Sequence, residues 1–100
     1  MFARIATFQV GDPDQLEQEI DTARGQVEAN WESPPEGLET SKELYMLIDR
    51  ENGTGLGITL FETEADMRRG HEALNAMTPQ GGGQRTNVAL YEVALHKQRG

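Results

Sequence analysis

The segment LYMLIDRENGTGLGITLFETEADM, residues 44–67, carries the strongest signals for the fold of this chain. Its first part belongs to an alternating run within residues 38–50, and a second apolar run, Leu56–Phe61, follows shortly after. Asn52-Gly53 between the two runs favours a tight, two-residue hairpin turn of the primed type. The segment therefore predicts two antiparallel strands joined by a hairpin.

The end of the same segment predicts a helix that begins directly after the hairpin. Thr63 is a residue type that caps helix N-termini, and Asp66 lies three residues later, as in a variant of the capping box. Pro79 and the following QGGGQ end this helix and form a loop. The apolar face of the helix is interrupted in its middle by Gly70-His71, where an ordinary amphipathic helix carries apolar residues.

The first half of the chain shows the same order of a strand followed by a capped helix. Residues 2–10 alternate and predict the first strand, and GDPDQ predicts a helix start with Asp12 as N-cap and Pro13 at the first helical position. The apolar stripe of this helix is Leu16, Ile20, Ala23 and Val27, with Trp31 just past its end. A last strand over residues 86–96 completes a βαββαβ order, which predicts a ferredoxin-like α+β fold with a four-stranded antiparallel sheet, in a single domain over residues 1–100.

The strands are apolar on both faces, which predicts a partner for the sheet. Leu44, Met46 and Ile48 alternate with Tyr45 and Leu47, so each face of that strand carries large apolar side chains. Two helices on the connections cover only one face of a sheet. We therefore expect a homodimer in which the sheets of two copies pack against each other.

Composition excludes several classes of function. Nine Lys and Arg residues against 17 Asp and Glu residues give a net charge of −8, which repels phosphate backbones and anionic lipids, so neither nucleic acid nor a membrane is an expected partner. The absence of cysteine excludes disulfides and thiolate chemistry. No stretch approaches the 18 apolar residues of a membrane span, and a cytoplasmic protein is the default expectation.

The βαββαβ order, the hairpin that leads into an acid-capped helix, and the closing ALYEVALH (residues 89–96) resemble the antibiotic biosynthesis monooxygenase-like domains. These domains belong to the dimeric α/β barrel superfamily. The resemblance implies a pocket between helices and sheet, a small apolar or aromatic ligand, and oxidation of phenols or quinols without a cofactor or a metal. A ligand-binding or structural dimer without catalytic activity stays open as the alternative. The haem-degrading branch of the superfamily is not expected, because this chain lacks the asparagine, tryptophan and histidine of that branch at the corresponding positions.

The resemblance and the interrupted helix face together select the candidate site residues. His71 is the candidate catalytic residue, because an imidazole near neutral pH can orient or deprotonate a phenolic hydroxyl. Gly70 beside it leaves volume that a ligand can occupy. The candidate substrate-binding residues are Trp31, Tyr45, Phe61, Met67, Gly70 and Tyr91.

Each candidate also has a structural interpretation. His71 can be a residue at the core edge with both ring nitrogens hydrogen-bonded, and the aromatic residues can belong to the core or to the dimer interface. No metal site is expected, because His71 and His96 lie on separate elements without carboxylates at ligand spacing. For Arg4, an ion pair with Glu92 on the last strand is expected in preference to anion binding.

Overall fold

The observed order of strands and helices is β-α-β-β-α-β. The computed structural model describes residues 1–9, 13–77 and 84–100. Its strands are β1 (Phe2–Gln9), β2 (Ser41–Asp49), β3 (Thr54–Phe61) and β4 (Gln84–Glu92), and its helices are α1 (Leu16–Glu32) and α2 (Glu64–Asn75). The ferredoxin-like α+β architecture predicted from the sequence is confirmed.

The four strands form one antiparallel sheet in the order β2-β3-β1-β4. The register pairs Arg4 of β1 with Thr59 of β3 on one side and with Leu90 of β4 on the other. Arg4 is hydrogen-bonded to α2, so this face of the sheet is the one that the helices cover. Both helices thus lie on a single face, and the opposite face, which we call the open face, carries no helix among the described residues.

Alternation along β2 is also as predicted. Leu44 pairs with Thr59 and lies on the covered face, whereas Tyr45 pairs with Ile58 on the open face. On the open face Tyr45 and Leu47 are 43% and 46% exposed, and Tyr91 of β4 is 55% exposed. The open face therefore presents large apolar side chains to solvent in the single chain.

The hairpin between β2 and β3 differs from the predicted two-residue primed turn. The strands end at Asp49 and begin again at Thr54, which leaves a four-residue connection in which only Gly53 has a positive φ, +68°. The carboxylate of Asp49 accepts hydrogen bonds from the backbone N–H groups of Glu51 and Asn52 at 3.2 Å each and from the Asn52 side chain at 2.8 Å. These bonds hold Asn52 at negative φ, so the primed geometry is excluded.

The predicted start of α1 is wrong in detail. Pro13–Gln15 form a 3₁₀ turn, α1 begins at Leu16, and its N-cap is Gln15, which makes no side-chain capping hydrogen bond. Asp12, the predicted N-cap, lies outside the described residues, as do the last residue of the predicted first strand and the loop from 78 to 83. Helix α1 extends to Glu32, so Trp31 belongs to its last turn and does not follow its end.

The start of α2 and the end of β4 show how local hydrogen bonds set the boundaries. Thr63 caps α2, since its hydroxyl accepts a hydrogen bond from the Asp66 N–H at 3.1 Å, as predicted. Strand β4 ends at Glu92, four residues earlier than predicted. Past this end, the N–H of Val93 still donates to the Met1 carbonyl at 2.8 Å.

Candidate functional site

A cavity of about 170 Å³ lies between α1 and the covered face of the sheet. We call it the α1 cavity. Its wall on the helix side includes Leu16, Ile20, Ala23 and Val27, the four residues of the predicted apolar stripe. Its wall on the sheet side includes Ala6, Phe8, Leu44, Met46, Ile48 and Gly57. The lining is predominantly aliphatic and aromatic, as in binding sites for small organic molecules.

The cavity exists because small residues face one another across the interface between helix and sheet. Gly55 and Gly57 of β3 lie on the covered face, opposite Phe8 and Ala6 of β1. Ala23 is the smallest of the four stripe residues that α1 directs at them. A glycine or alanine in place of a branched side chain removes several methyl groups of volume, so the space between α1 and the sheet is not filled.

A second cavity of about 130 Å³ adjoins the first near the C-terminal end of α1. Val27, Leu44, Thr59 and Leu74 line both cavities, which are therefore adjacent, and we call the two together the cleft. Trp31 lines this second cavity and is 48% exposed. The indole therefore lies at the solvent end of the cleft.

Arg4 is the one cation that lines the α1 cavity among the described residues. Its side chain projects from the middle of β1 into the covered face, and the residue is only 4% exposed. Burial, and after it the positive charge of Arg85, lowers the pKa of Arg4 from its ordinary value to about 10. The predicted ion pair with Glu92 is wrong, because the register places Glu92 opposite Phe2 and no carboxylate of the described residues lies within ion-pair distance of Arg4.

Two neutral side chains of α2 hold the Arg4 guanidinium instead. Arg4 Nε donates to His71 Nδ1 at 3.2 Å, and Arg4 Nη2 donates to Asn75 Oδ1 at 3.0 Å. His71 Nε2 in turn lies 3.1 Å from Asn75 Nδ2. His71 and Asn75 are one helical turn apart, so both reach the same strand residue. We call Arg4, His71 and Asn75 the polar trio.

The polar trio contains one hydrogen-bond donor too many. Because a guanidinium only donates, His71 Nδ1 must carry a lone pair, and Nε2 of the neutral ring then carries the proton. This Nε2–H faces the NH₂ group of Asn75, and turning the amide over would set the NH₂ group against Arg4 instead. In either arrangement one N–H group finds no acceptor within the trio.

The same contacts define what His71 can do chemically. Burial, and after it the charge of Arg4, lowers the pKa of His71 below its usual 6.5, which favours the neutral ring. With Nδ1 accepting from Arg4 and Nε2 protonated, neither nitrogen presents a free lone pair to a ligand. The catalytic role of His71 stays a prediction, and the geometry gives the residue an immediate structural task, the positioning of Arg4.

Gly70 packs against Phe61, and neither these two residues nor Met67 lines either cavity. A Cβ atom added at Gly70 would lie 2.7 Å from Phe61 Cε1 and closer still to Cζ. Phe61 is fully buried and Met67 is 3% exposed. The expected free volume beside Gly70 is therefore filled by the Phe61 ring, which is why this helix carries a glycine on its buried face.

The two tyrosines lie away from the cavity interior. Tyr45 borders the α1 cavity, but its side chain is on the open face and its hydroxyl donates to Glu43 Oε1 at 3.3 Å. Tyr91 pairs with Ala3 on the open face and lines neither cavity. Of the seven candidates, the structure thus places Trp31 in the cleft and Tyr45 beside it, and His71 contacts the cavity lining through Arg4.

The resemblance implied a pocket between helices and sheet, but sequence reasoning missed the residues that line the α1 cavity, among them Arg4 as its polar group. A signal for the cavity was present, since Gly55 and Gly57 are two residues apart in a strand and must share a face. A signal for Arg4 was present as well, because a charged residue at an inward position of an apolar strand needs a partner or a ligand. Which side of the sheet the helices cover was the missing information.

Comparisons with known proteins leave the family open. No protein-family model matches the chain, and no curated protein matches it at a significant level. Over residues 1–9, 13–77 and 84–100, no helix has the length and apolar character needed to cross a membrane. Within the same ranges no three His, Asp or Glu side chains are grouped as metal ligands would be.

Proposed function

We propose that the protein binds a small, mostly apolar molecule in the α1 cavity. The observation that carries this proposal is the cavity itself, which is bounded predominantly by aliphatic and aromatic side chains and adjoins the second cavity, lined by Trp31. An apolar cavity of about 150 Å³ suffices to bind benzene. The α1 cavity is of similar size, and with the second cavity it can take a ligand of one or two aromatic rings.

The reaction class that we propose is the one the resemblance implies, cofactor-independent oxidation of a phenol or quinol. A predominantly apolar pocket protects an electron-rich aromatic from water, and a buried cation in its wall favours the anionic form that reacts with oxygen. Arg4 is such a cation. The alternative is a dimer that binds the same ligands without turnover, and oxygen consumption distinguishes the two.

The test of binding uses a cavity-filling substitution with a matched control. Ala23→Leu adds side-chain volume inside the α1 cavity, whereas Ala29→Leu makes the same change at an exposed position of α1. We expect 2-naphthol to bind to the wild type and to Ala29→Leu in isothermal titration calorimetry, and to bind at least tenfold more weakly to Ala23→Leu. Equal affinities for the two variants would contradict the proposed location of the ligand.

The test of turnover follows oxygen with an electrode while naphthols and naphthohydroquinones are added. Protein-dependent oxygen uptake that Ala23→Leu abolishes and Ala29→Leu retains supports the oxygenase. Binding in calorimetry without oxygen uptake supports the non-catalytic alternative.

We also propose that two copies associate through the open face. Tyr45 and Leu47 on one edge strand and Tyr91 on the other are each between 43% and 55% exposed there, and exposed apolar surface of this kind marks interaction sites. Two identical sheets can cover each other around a twofold axis. Light scattering at micromolar concentration should then give about twice the chain mass of 11.1 kDa.

A charge on the open face tests the dimer directly. Leu47→Glu should shift the mass to that of one chain, because a carboxylate would be buried between the sheets without a partner. Gln26→Glu adds the same charge at an exposed position of α1 and should remain dimeric. A wild type that is monomeric at this concentration would refute the proposal.

A further inference from the structure

We infer that the α1 cavity is an anion site, in which Arg4 is the counterion for a planar oxyanion carried by an otherwise apolar ligand. This inference rests on the proposed function and specifies the chemistry of its ligand. Carboxylates and phenolates both offer the required oxygens. Two features of the described residues carry the inference: the buried charge of Arg4, which has no acidic partner among them, and the guanidinium N–H groups that its contacts with His71 and Asn75 leave over.

The first feature is an uncompensated charge. Arg4 is 4% exposed, and its hydrogen-bond acceptors are the neutral side chains of His71 and Asn75. A buried guanidinium is ordinarily paired with a carboxylate, because the loss of hydration is otherwise not offset. An anion in the α1 cavity would supply the negative charge that Arg4 otherwise lacks as a partner.

The nearby charges do not compensate Arg4. Arg85 is a second cation, and it donates to the carbonyls of Leu74 and Asn75 at 3.1 and 3.4 Å, where it neutralises the C-terminal end of α2. Glu19 is the one carboxylate among the described residues that line the α1 cavity, and it makes no ion pair with Arg4. Its Oε2 atom is buried without a hydrogen-bond partner in the described part of the chain.

The second feature is the geometry of the donors. A guanidinium has five N–H groups in one plane, which suit the two oxygens of a carboxylate. Arg4 uses one N–H on His71 and one on Asn75, so donors remain for a ligand.

The net charge of the protein does not favour anion binding, so an observed preference for an anion would point to a local cause. The net charge of −8 repels a negatively charged ligand at long range. A preference for an anion over a neutral ligand of the same shape must therefore come from a local group, and in the α1 cavity that group is Arg4.

The experiment compares two ligands of the same shape and different charge. 2-Naphthoate and 2-naphthamide differ in the oxyanion only, and calorimetry at neutral pH gives both dissociation constants. We expect the wild type to bind the carboxylate at least tenfold more tightly. Arg4→Met should abolish this preference, while Arg24→Met, which removes the same charge from an exposed position of α1, should retain it.

Two further measurements test the inference without Arg4→Met, which replaces a buried residue. One uses a conservative variant and the other uses the wild type. Glu19→Gln removes the carboxylate that lines the cavity and should tighten 2-naphthoate binding without tightening 2-naphthamide binding. 4-Nitrophenol reports the phenolate arm, because its two forms absorb at different wavelengths. Bound to the wild type, it should ionise at a lower pH than in water.

The outcomes separate the inference from the proposed function. Equal affinity for naphthoate and naphthamide in the wild type, with both lost in Ala23→Leu, refutes the anion site and leaves the apolar binding site standing. Failure of both ligands to bind refutes the proposed function and the anion site with it. A carboxylate preference without a shift of 4-nitrophenol ionisation assigns the site to carboxylates, and the converse result assigns it to phenolates.

Discussion

Helices α1 and α2 cover the same face of the sheet, but they approach it in different ways. Helix α2 approaches closely through Gly70, whose backbone rests on the ring of Phe61. Helix α1 presents aliphatic side chains to strand positions occupied by glycine and alanine, and a cavity of about 170 Å³ remains between them. The glycine in α2 thus lets that helix pack closely on the sheet. The glycines in β3 instead leave space between the sheet and α1.

The two helices also differ in the polarity of the faces that they direct at the sheet. The inner face of α2 contributes His71 and Asn75 to the polar trio, whereas the inner face of α1 contributes an apolar stripe. The buried charge of Arg4 is therefore held from the α2 side and borders empty space on the α1 side. This division assigns structural tasks to α2 and leaves α1 as the wall that a ligand would touch.

The largest effect is expected where α2 meets the sheet. Gly70→Leu should destabilise the protein by about 3 kcal/mol or more, because the new side chain would occupy the position of the Phe61 ring and the core has no room to move it. Gly70→Ala should still cost about 1–3 kcal/mol, although alanine is the better helix former. Urea denaturation followed by Trp31 fluorescence measures both.

Gly25→Ala is the matched control in α1. A Cβ atom at Gly25 would meet no atom within 4 Å, so only the helix propensity changes and the protein should be stabilised by about 0.5–1 kcal/mol. If Gly70→Ala were stabilising to the same degree, the close contact between α2 and Phe61 would be refuted.

A smaller effect is expected from the polar trio. His71→Leu removes the acceptor of the Arg4 Nε–H and leaves a buried donor unpaired, which should cost about 1–3 kcal/mol. Adding Arg4→Met to His71→Leu removes the orphaned charge and should restore most of the lost stability. A double variant as unstable as the sum of the two single variants would show that the residues do not interact.

The N-terminal caps of the two helices give a third comparison, with an expected difference in the free energy of unfolding of about 1 kcal/mol. Thr63→Ala removes the hydroxyl that accepts the Asp66 N–H at the start of α2 and should reduce the free energy of unfolding by about 1 kcal/mol. Gln15→Ala, at the N-cap of α1, removes no capping hydrogen bond and should change stability by less than about 0.5 kcal/mol. Equal losses in the two variants would mean that the side-chain cap of α2 contributes nothing.

The sequence predicted the elements well because their signals are local. The alternation of β2 and the capping residue Thr63 depend on neighbouring residues, and both predictions are confirmed. The hairpin geometry was wrong because the Asp49 side chain competes for the turn N–H groups, an interaction that the Asn-Gly pair alone does not reveal. Local patterns thus fix elements more firmly than their connections.

The candidate site was harder to predict because it depends on contacts between distant elements. Gly70 suggested free volume, but that volume is taken by a phenylalanine from another element. Arg4 and His71 are 67 residues apart in the chain and meet only when α2 packs on β1. The pairing of a strand residue with a helix residue requires the tertiary arrangement, and spacing along the sequence does not supply it.

The smallest expected effect is the pH dependence that His71, on α2, gives to the free energy of unfolding. Its pKa in the folded protein is lowered from 6.5 by burial and by Arg4, so the unfolded chain binds the proton more tightly than the folded one. The contribution of His71 to the free energy of unfolding should therefore be fully present above about pH 6.5, and it should be lost as the pH decreases through 6.5 toward the lowered pKa.

Urea denaturation between about pH 7.5 and 5.5 measures this dependence of the free energy of unfolding on pH. His71→Leu should flatten it. An identical slope in the wild type and in His71→Leu would show that folding does not lower the His71 pKa and that another group carries the dependence.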